Sequence, residues 1–327
     1  MGAYFLRRVG YIFITLIFVS IIGFIIIELP PGSFLDVEVD RLRQQGGDMS
    51  IDQIKALEDR YGINDPLPLK YWKWASGFVQ GDFGQSFEYR MPVKDLIFSQ
   101  LGYTVFLSIL TLLFNWVTAI VIGVYSATHR RSLLDYSLTV FQFAGLAIPS
   151  FLLALIIMVF VYQVLGWDVG GMVSPALRDA PWNGEKIVDF LKHLVVPVVV
   201  IGANGTAWLS RVMRSNLLDV LNMQYVQTAR SKGVSETLVI WKHAVRNSLH
   251  PLIMVFGMSL PNIISGATIV SMVLNLPTIG PLYFHALLNK DMYLAVSFLI
   301  FLAIFLLVGN LLADLLLAWV DPRIRYE

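Results

Sequence analysis

The sequence predicts an all-α membrane protein with six transmembrane helices, a structured extracytoplasmic loop and a helical cytoplasmic loop. Of its 327 residues, 56% are hydrophobic and only 14% are charged, whereas a soluble domain has about 25% charged residues. The charged residues are concentrated in a few segments, and the uncharged stretches between them can cross about 30 Å of hydrocarbon as helices. Cysteine is absent, which excludes disulfide scaffolds and thiol chemistry.

The first uncharged stretch, Val9 to Ile27, has the length of one transmembrane helix. A cleaved signal peptide would have a shorter apolar core, of about 7–15 residues, followed by a small-residue cleavage site. No such site precedes Pro30. Residues 1–30 are therefore predicted to be an N-terminal transmembrane helix.

Residues 31–95 are predicted to form a structured extracytoplasmic loop. Ser50 with Gln53 is typical of a capping box, and a helical pattern follows it as far as Gly62. An interfacial aromatic anchor is predicted at Tyr71, Trp72 and Trp74. Because no polar groups converge on a site here, we expect the loop to cap the protein rather than to bind solute.

Residues 96–327 are predicted to form a five-helix core. Its uncharged stretches are 96–128, 136–167, 193–210, 247–289 and 292–313. Within the stretch 193–210, Pro197 and nearby Gly and Asn residues predict a broken helix that lines a cavity or packs against protein. Prolines and a glycine predict that 275–289 is a loop or a re-entrant segment, so the stretch 247–289 counts as one span.

The distribution of Lys and Arg indicates which side the termini occupy. Six spans place both termini on one side together with 128–135 and 211–250, and these segments hold 12 Lys and Arg residues. The opposite segments 166–192 and 275–291 hold 4, and the long loop within 28–100 counts little in this rule. Both termini are therefore predicted to be cytoplasmic.

The longest cytoplasmic segment, 211–250, is predicted to contain two short helices that meet at Gly233. Apolar residues keep a helical spacing from Leu217 to Ala229, and Gly233 is typical of the position after a helix end. Ser235 then suits the start of a second helix, with Val234 and Val239 as a hydrophobic staple. The pair is either a rigid element that a partner protein displaces, or a surface helix pair that has no partner.

The residues of this segment resemble a known family. The stretch from Tyr225 to Glu236, continued from Trp241 to Pro251, is similar to the cytoplasmic signature loop of ABC-importer permeases, most closely the dipeptide/oligopeptide permease family. The resemblance runs along the whole chain. Its other landmarks include Arg7-Arg8, Pro31-Gly32, Gly81-Asp82, His193-Leu194, Leu276-Pro277, Asn310, Asp314 and Asp321-Pro322-Arg323.

The resemblance implies that this segment is a coupling helix that sits in a cleft of an ATPase subunit. The coupling residues that it implies are Tyr225, Ala229, Arg230, Lys232, Gly233, Glu236, His243 and Arg246. It also implies a second homologous permease, two ABC ATPase subunits and an extracytoplasmic solute-binding protein in a bacterial or archaeal cytoplasmic membrane. ATP and Mg are expected on the ATPase subunits, and no cofactor is expected on this chain.

The chain itself is not expected to be an enzyme. It lacks the Gly-x-x-x-x-Gly-Lys-Ser/Thr loop of an ATP site, and its five histidines lie on different segments. Asp314, the acid at the end of the last span, is expected to have a structural role at the membrane interface.

Polar and small residues within the spans predict a translocation path. The candidates are Asn204, Thr206, Asn262, Ser265 and Gly266, and helix packing is the alternative for each of them.

The resemblance implies a family that imports dipeptides, oligopeptides, oligosaccharides, opines or nickel, so the cargo stays open, with peptides as the first expectation and oligosaccharides as the second. Ser33 and Ser271 stand where the family often has acids, which puts the solute in doubt. A secondary carrier driven by ions is less favoured, because it would show an inverted repeat and buried ionisable residues at the midplane.

Overall fold

A computed structural model describes residues 2–30, 32–44 and 65–320, and the described chain is almost entirely helical. The helix predicted after the capping box at Ser50 lies outside these residues. The helices are α1 Gly2–Glu28, α2 Phe34–Gln44, α3 Leu67–Val79, α4 Val93–Thr128, α5 Leu133–Ala147, α6 Ser150–Leu165, α7 Gly184–Leu221, α8 Gln224–Ser231, α9 (236–248), α10 His250–Val273, α11 Ile279–Leu288 and α12 Met292–Val320. Helix α9 joins Glu236–Leu238, a π-helical Val239–Val245 and Arg246–Ser248.

Four of these helices are long and apolar enough to cross a membrane, namely α1, α4, α7 and α12. Two further spans are bent. Helices α5 and α6 meet at 113°, and the two halves of α10, His250–Ser259 and Pro261–Val273, meet at 48°. The all-α membrane class is confirmed, and the predicted six spans are reached when each bent pair counts as one.

The prediction of a broken fourth span is wrong, because α7 is one continuous helix of 38 residues with Pro197 inside it. Its small residues are used for helix contact. A Cβ added at Gly202 would lie 2.6 Å from Asn115 Oδ1 of α4, which is closer than atoms can pack. The absence of side chains therefore lets α4 approach α7, as at other close helix contacts in membranes.

The bends fall at other prolines. Helix α5 ends before Ile148, whose extended backbone (φ −84°, ψ 124°) is the conformation expected of a residue that precedes a proline, here Pro149. Of the two alternatives predicted for 275–289, the loop is wrong for most of the length, since Ile279–Leu288 is the helix α11, whereas the re-entrant segment stays a prediction.

The chain divides into two compact units. The first contains residues 1–102 and 278–304, and its core includes Phe24, Trp74 and Val296. Tyr71 packs edge to face on Phe24, with ring centroids 5.4 Å apart. Two other residues of the predicted aromatic anchor differ in exposure. Trp74 is buried, whereas Trp72 is 70% exposed.

A buried carboxyl group, Asp291, organises the first unit just before α12. It accepts hydrogen bonds from Ser86 Oγ, from the Glu88 amide at 3.2 Å and from the Leu294 amide at 3.4 Å. Its side chain has no exposed surface. Burial raises the pKa of Asp291 above its usual range, although the three donors act in the opposite direction.

Replacing Asp291 by Asn is expected to remove a pH dependence from the stability of the protein. The pKa of Asp291 is raised in the folded state, so folding favours the neutral carboxyl. The contribution of this group to the free energy of unfolding is therefore complete below the ordinary pKa of about 4. It is lost as the pH rises through the raised pKa. The melting temperature of the wild type should therefore fall between pH 4 and pH 7 relative to that of Asp291→Asn. The fall should be about 2–4 °C for each kcal/mol that the free energy of unfolding decreases. Parallel melting curves for the two proteins over this range would contradict the assignment.

Candidate functional site

The second unit, residues 103–277 and 305–327, contains a cavity of about 740 Å³. Residues of α4, the α5–α6 bend, α7 and α10 line it. Its polar lining residues are Asn115, Ser150, Asn204, Ser259 and Asn262. Among the described residues that line it none is ionisable, and the remaining wall is mainly apolar, with Trp208 as its largest side chain.

The bend between α5 and α6 forms one wall of the cavity. Ile148, Pro149 and Ser150 lie at the break and line the space. Non-helical backbone at membrane depth is tolerated only where it is buried in protein or lines a water-filled space, since its polar groups need partners. The position of the break is therefore the one expected for a hydrated cavity.

The structure places two of the five predicted path residues on the cavity, Asn204 and Asn262, and both are exposed. Thr206 instead faces α4, where its Oγ1 donates to Asn115 Oδ1 at 3.1 Å. Ser265 Oγ donates to the Asn262 carbonyl at 3.4 Å and does not line the cavity. Gly266 lies on α10, and its surroundings are outside the described part of the chain.

Sequence reasoning missed Asn115, Ser150, Trp208 and Ser259 as lining residues. A signal for Asn115 was available, since a carboxamide in the uncharged stretch 96–128 needs a partner at membrane depth. Ser150 follows Pro149 at the bend between α5 and α6, and this bend places it on the cavity. The spacing of apolar residues in the sequence does not predict such a bend.

At the C-terminal end of α7 lies the predicted helix pair, α8 and α9. The single helix expected from Leu217 to Ala229 is wrong, because α7 ends at Leu221 and α8 begins at Gln224. The predicted glycine at the end of α8 is confirmed. Gly233 has φ +73°, the left-handed conformation that glycine adopts without strain.

The pair packs on α7 through an apolar core. Val226 of α8 and Val239 and Ala244 of α9 are completely buried, together with Met213 and Leu217 of α7. The two members of the predicted staple, Val234 and Val239, both belong to this cluster. The predicted helix start at Ser235 is found, without a hydrogen bond from its side chain to the helix.

The polar residues predicted for coupling are partly paired with each other. Arg230 binds Glu236 in a bidentate ion pair, with Nη2–Oε1 at 2.6 Å and Nε–Oε2 at 3.1 Å. The hydrogen bond from Arg230 lowers the pKa of Glu236, but an exposed pair of this kind contributes at most about 1 kcal/mol. The Tyr225 hydroxyl accepts a hydrogen bond from Asn247 Nδ2 at 2.7 Å. These contacts join α8 to α9 across Gly233.

The remaining coupling candidates differ in exposure. Ala229 is half-buried and packs against the core of the pair. His243 is also half-buried, whereas Lys232, Gly233 and Arg246 are exposed.

Helix α7 connects the cavity to the helix pair. Asn204 and Trp208 line the cavity, and Met213 and Leu217 lie in the core of the pair, on the same uninterrupted helix. Packed helices transmit displacement because their interiors have low compressibility. The wall of the cavity and the core of the helix pair therefore share one continuous helix.

Comparison with known proteins gives matches over nearly the whole chain. The model of the family described as binding-protein-dependent transport system inner membrane component matches residues 119–326, and the model of its N-terminal region matches residues 1–108. The chain is 36% identical to the oligopeptide transport system permease protein AppB of Bacillus subtilis over the full length of both. It is 30% identical to the dipeptide transport system permease protein DppB of Alkalihalophilus pseudofirmus over the full length of both. It is 32% identical to the oligopeptide transport system permease protein OppB of Haemophilus influenzae, over 83% of this chain and 84% of that protein.

Proposed function

This chain belongs to the family of binding-protein-dependent transport system inner membrane components, and we propose that it carries peptides as a permease subunit of an ABC importer. The observation that carries the proposal is the continuous helix α7, which joins an uncharged cavity, with polar residues in a mainly apolar wall, to an exposed helix pair. The cavity, of about 740 Å³, has the volume of a small-ligand site.

The α8–α9 pair is the proposed docking element for an ATPase subunit. Its buried valines hold it on α7, while Lys232 and Arg246 stay exposed to a partner. Closure of the ATPase subunits around ATP and Mg would move the pair, and α7 would pass that movement to the cavity in an alternating-access cycle. A second permease subunit would complete the path, and an extracytoplasmic binding protein would deliver the peptide.

The proposed orientation places both termini and the α8–α9 pair in the cytoplasm of a bacterium or an archaeon. It rests on the excess of Lys and Arg in 128–135 and 211–250 over the segments 166–192 and 275–291. The same orientation places α3 and Asp291 on the outer side.

Reconstitution of the complete complex tests the proposed function. The tagged chain is purified in mild detergent with the proteins that accompany it, placed in liposomes, and supplied with labelled trialanine and the binding protein. Uptake that requires ATP supports the proposal. Uptake without ATP would make the chain a secondary carrier, and ATP-driven uptake of an oligosaccharide but no peptide would change the cargo.

Filling the cavity is expected to block transport without preventing assembly. In Asn204→Trp, a bicyclic side chain replaces an exposed carboxamide on the cavity wall, and we expect uptake to fall by about tenfold, the effect of about 1.4 kcal/mol. Val188→Trp is the control, since Val188 is 53% exposed on the same helix and does not line the cavity. Equal uptake by the two variants would remove Asn204 from the path.

A further inference from the structure

Asn115 is the one carboxamide among the described lining residues that is both buried and fixed. It is 4% exposed, although it lines the cavity. Its amide group lies against two glycines of α7. A Cβ at Gly202 would lie 2.6 Å from Oδ1, and a Cβ at Gly205 would overlap Nδ2. The Asn115 side chain therefore occupies its place because positions 202 and 205 carry no side chain.

Hydrogen bonds fix the orientation of the Asn115 amide. Thr206 Oγ1 donates to Asn115 Oδ1 at 3.1 Å, and Thr118 Oγ1 lies 3.2 Å from Thr206 Oγ1. The Asn115 oxygen is thereby engaged from α7. Its Nδ2, in contrast, forms no hydrogen bond to any residue that the structure describes, and it is not fully enclosed by protein. A donor at the edge of a water-filled space needs an acceptor from the contents of that space.

The other polar groups of the cavity do not have this fixed geometry. Asn204 and Asn262 are exposed, so their amides can rotate to suit water or cargo. No charged side chain lies among the described lining residues, so a charge on the cargo has no opposite charge to bind here. The carbonyl oxygen of the peptide bond is the acceptor that all peptides share, whatever their side chains.

We propose that Asn115 is the fixed hydrogen-bond donor of this half of the path and that it binds a backbone carbonyl oxygen of the cargo. Gly202, Gly205 and Thr206 are its positioning residues. This inference rests on the proposed function, since it takes the cavity as the path for peptides. It predicts that the path binds the peptide backbone and does not discriminate between side chains by their charge.

Three peptides of equal length test the chemistry of this contact in the reconstituted complex: Ala-Ala-Ala, Ala-Lys-Ala and Ala-Glu-Ala. Asn115→Ala removes the donor, and the uptake of all three should fall by the same factor, about three- to tenfold, the value of one hydrogen bond. A loss confined to one of the charged peptides would show that Asn115 binds a side chain, and unchanged uptake of all three would show no contact. Either result overturns the inference.

A double-mutant cycle tests the positioning role. In Gly205→Ala, the three atoms nearest to the new methyl group all belong to the end of the Asn115 side chain, which the methyl group displaces. The single variant should therefore lose uptake as Asn115→Ala does, and the double variant should be no worse than Asn115→Ala. Losses that multiply in the double variant would overturn the inference, because they would show that Gly205 acts independently of Asn115.

Controls separate this inference from the proposed function. Asn183→Ser removes a carboxamide from the exposed start of α7 but keeps a good helix cap, and the uptake of all three peptides should stay at the wild-type value. If the wild type carries no peptide with ATP, the proposed function fails. If the wild type carries peptide and Asn115→Ala does so equally well, only the inference about Asn115 fails.

Discussion

Gly233→Val is expected to uncouple ATP hydrolysis from transport while the protein still inserts and assembles. Gly233 has φ +73°, and no atom lies within 4 Å of the position that a Cβ would take. The cost of a side chain there is therefore backbone strain, about 1–2 kcal/mol for an ordinary residue and more for a β-branched one. That energy equals roughly a five- to thirtyfold shift between two arrangements of α8 and α9.

The strain acts on the contacts that join the two helices. The Arg230–Glu236 ion pair and the Tyr225–Asn247 hydrogen bond both bridge Gly233, and each is weak enough to break when the turn opens. The core of Val226 and Val239 stays buried on α7, so the fold should survive. In the reconstituted complex we expect ATP hydrolysis that no longer responds to peptide, and uptake reduced by about tenfold or more.

Gly166→Val is the matched control for this prediction. Gly166 ends α6 with φ +66°, and a Cβ at this position would also have no atom within 4 Å. The two variants carry the same kind of strain, but only Gly233 lies in the α8–α9 pair. Normal peptide-stimulated ATP hydrolysis in Gly233→Val, or an equal loss in Gly166→Val, would contradict the coupling role of the pair.

Gly257→Ala is expected to have the largest effect on stability. Helices α10 and α12 cross so closely in the second unit that a Cβ at Gly257 would lie 2.7 Å from both Asn310 Cα and the Asn310 amide nitrogen. A Cβ at Gly309 would lie 2.6 Å from the Gly257 carbonyl oxygen. Because these neighbours are backbone atoms, they cannot rotate away, and the two helices must separate.

Separation of the helices removes van der Waals contacts along the crossing, which is the main force between helices in a membrane. Overpacking of this kind costs about 1–3 kcal/mol or more, so we expect a lower melting temperature and several times less chain in the membrane. Gly102→Ala is the control, since no atom lies within 4 Å of a Cβ at Gly102 and alanine favours the helix. Equal yields and melting temperatures for the two variants would contradict the close crossing.

Local signals predicted the parts of the protein that depend on neighbours in sequence. The first span follows from an uninterrupted apolar stretch, and the turn at Gly233 follows from a glycine between two helical patterns. The break at Asn222 between α7 and α8 was missed because the apolar spacing continues across it.

Contacts between distant residues account for what could not be predicted. Gly202 and Pro197 suggest a broken helix when only the sequence is considered, but Gly202 meets Asn115, which is distant along the chain. Asp291 stands in a short polar segment, and its main partner, Ser86, is 205 positions away. No local pattern reports such a pair, so the buried carboxyl and the fixed carboxamide of the cavity emerge only from the folded chain.

The length of α7 has a mechanical consequence. Its 38 residues extend over about 57 Å at about 1.5 Å per residue, nearly twice the roughly 30 Å of the hydrocarbon layer. Under the proposed orientation, such a rod would act as a lever that is longer than the hydrocarbon layer is thick. A tilt of about 10° around its outer end would shift Asn204, about 30 Å along the helix, by about 5 Å, the rise of about one helical turn. A modest rotation that starts at the α8–α9 end would thus displace the cavity wall together with the helix pair.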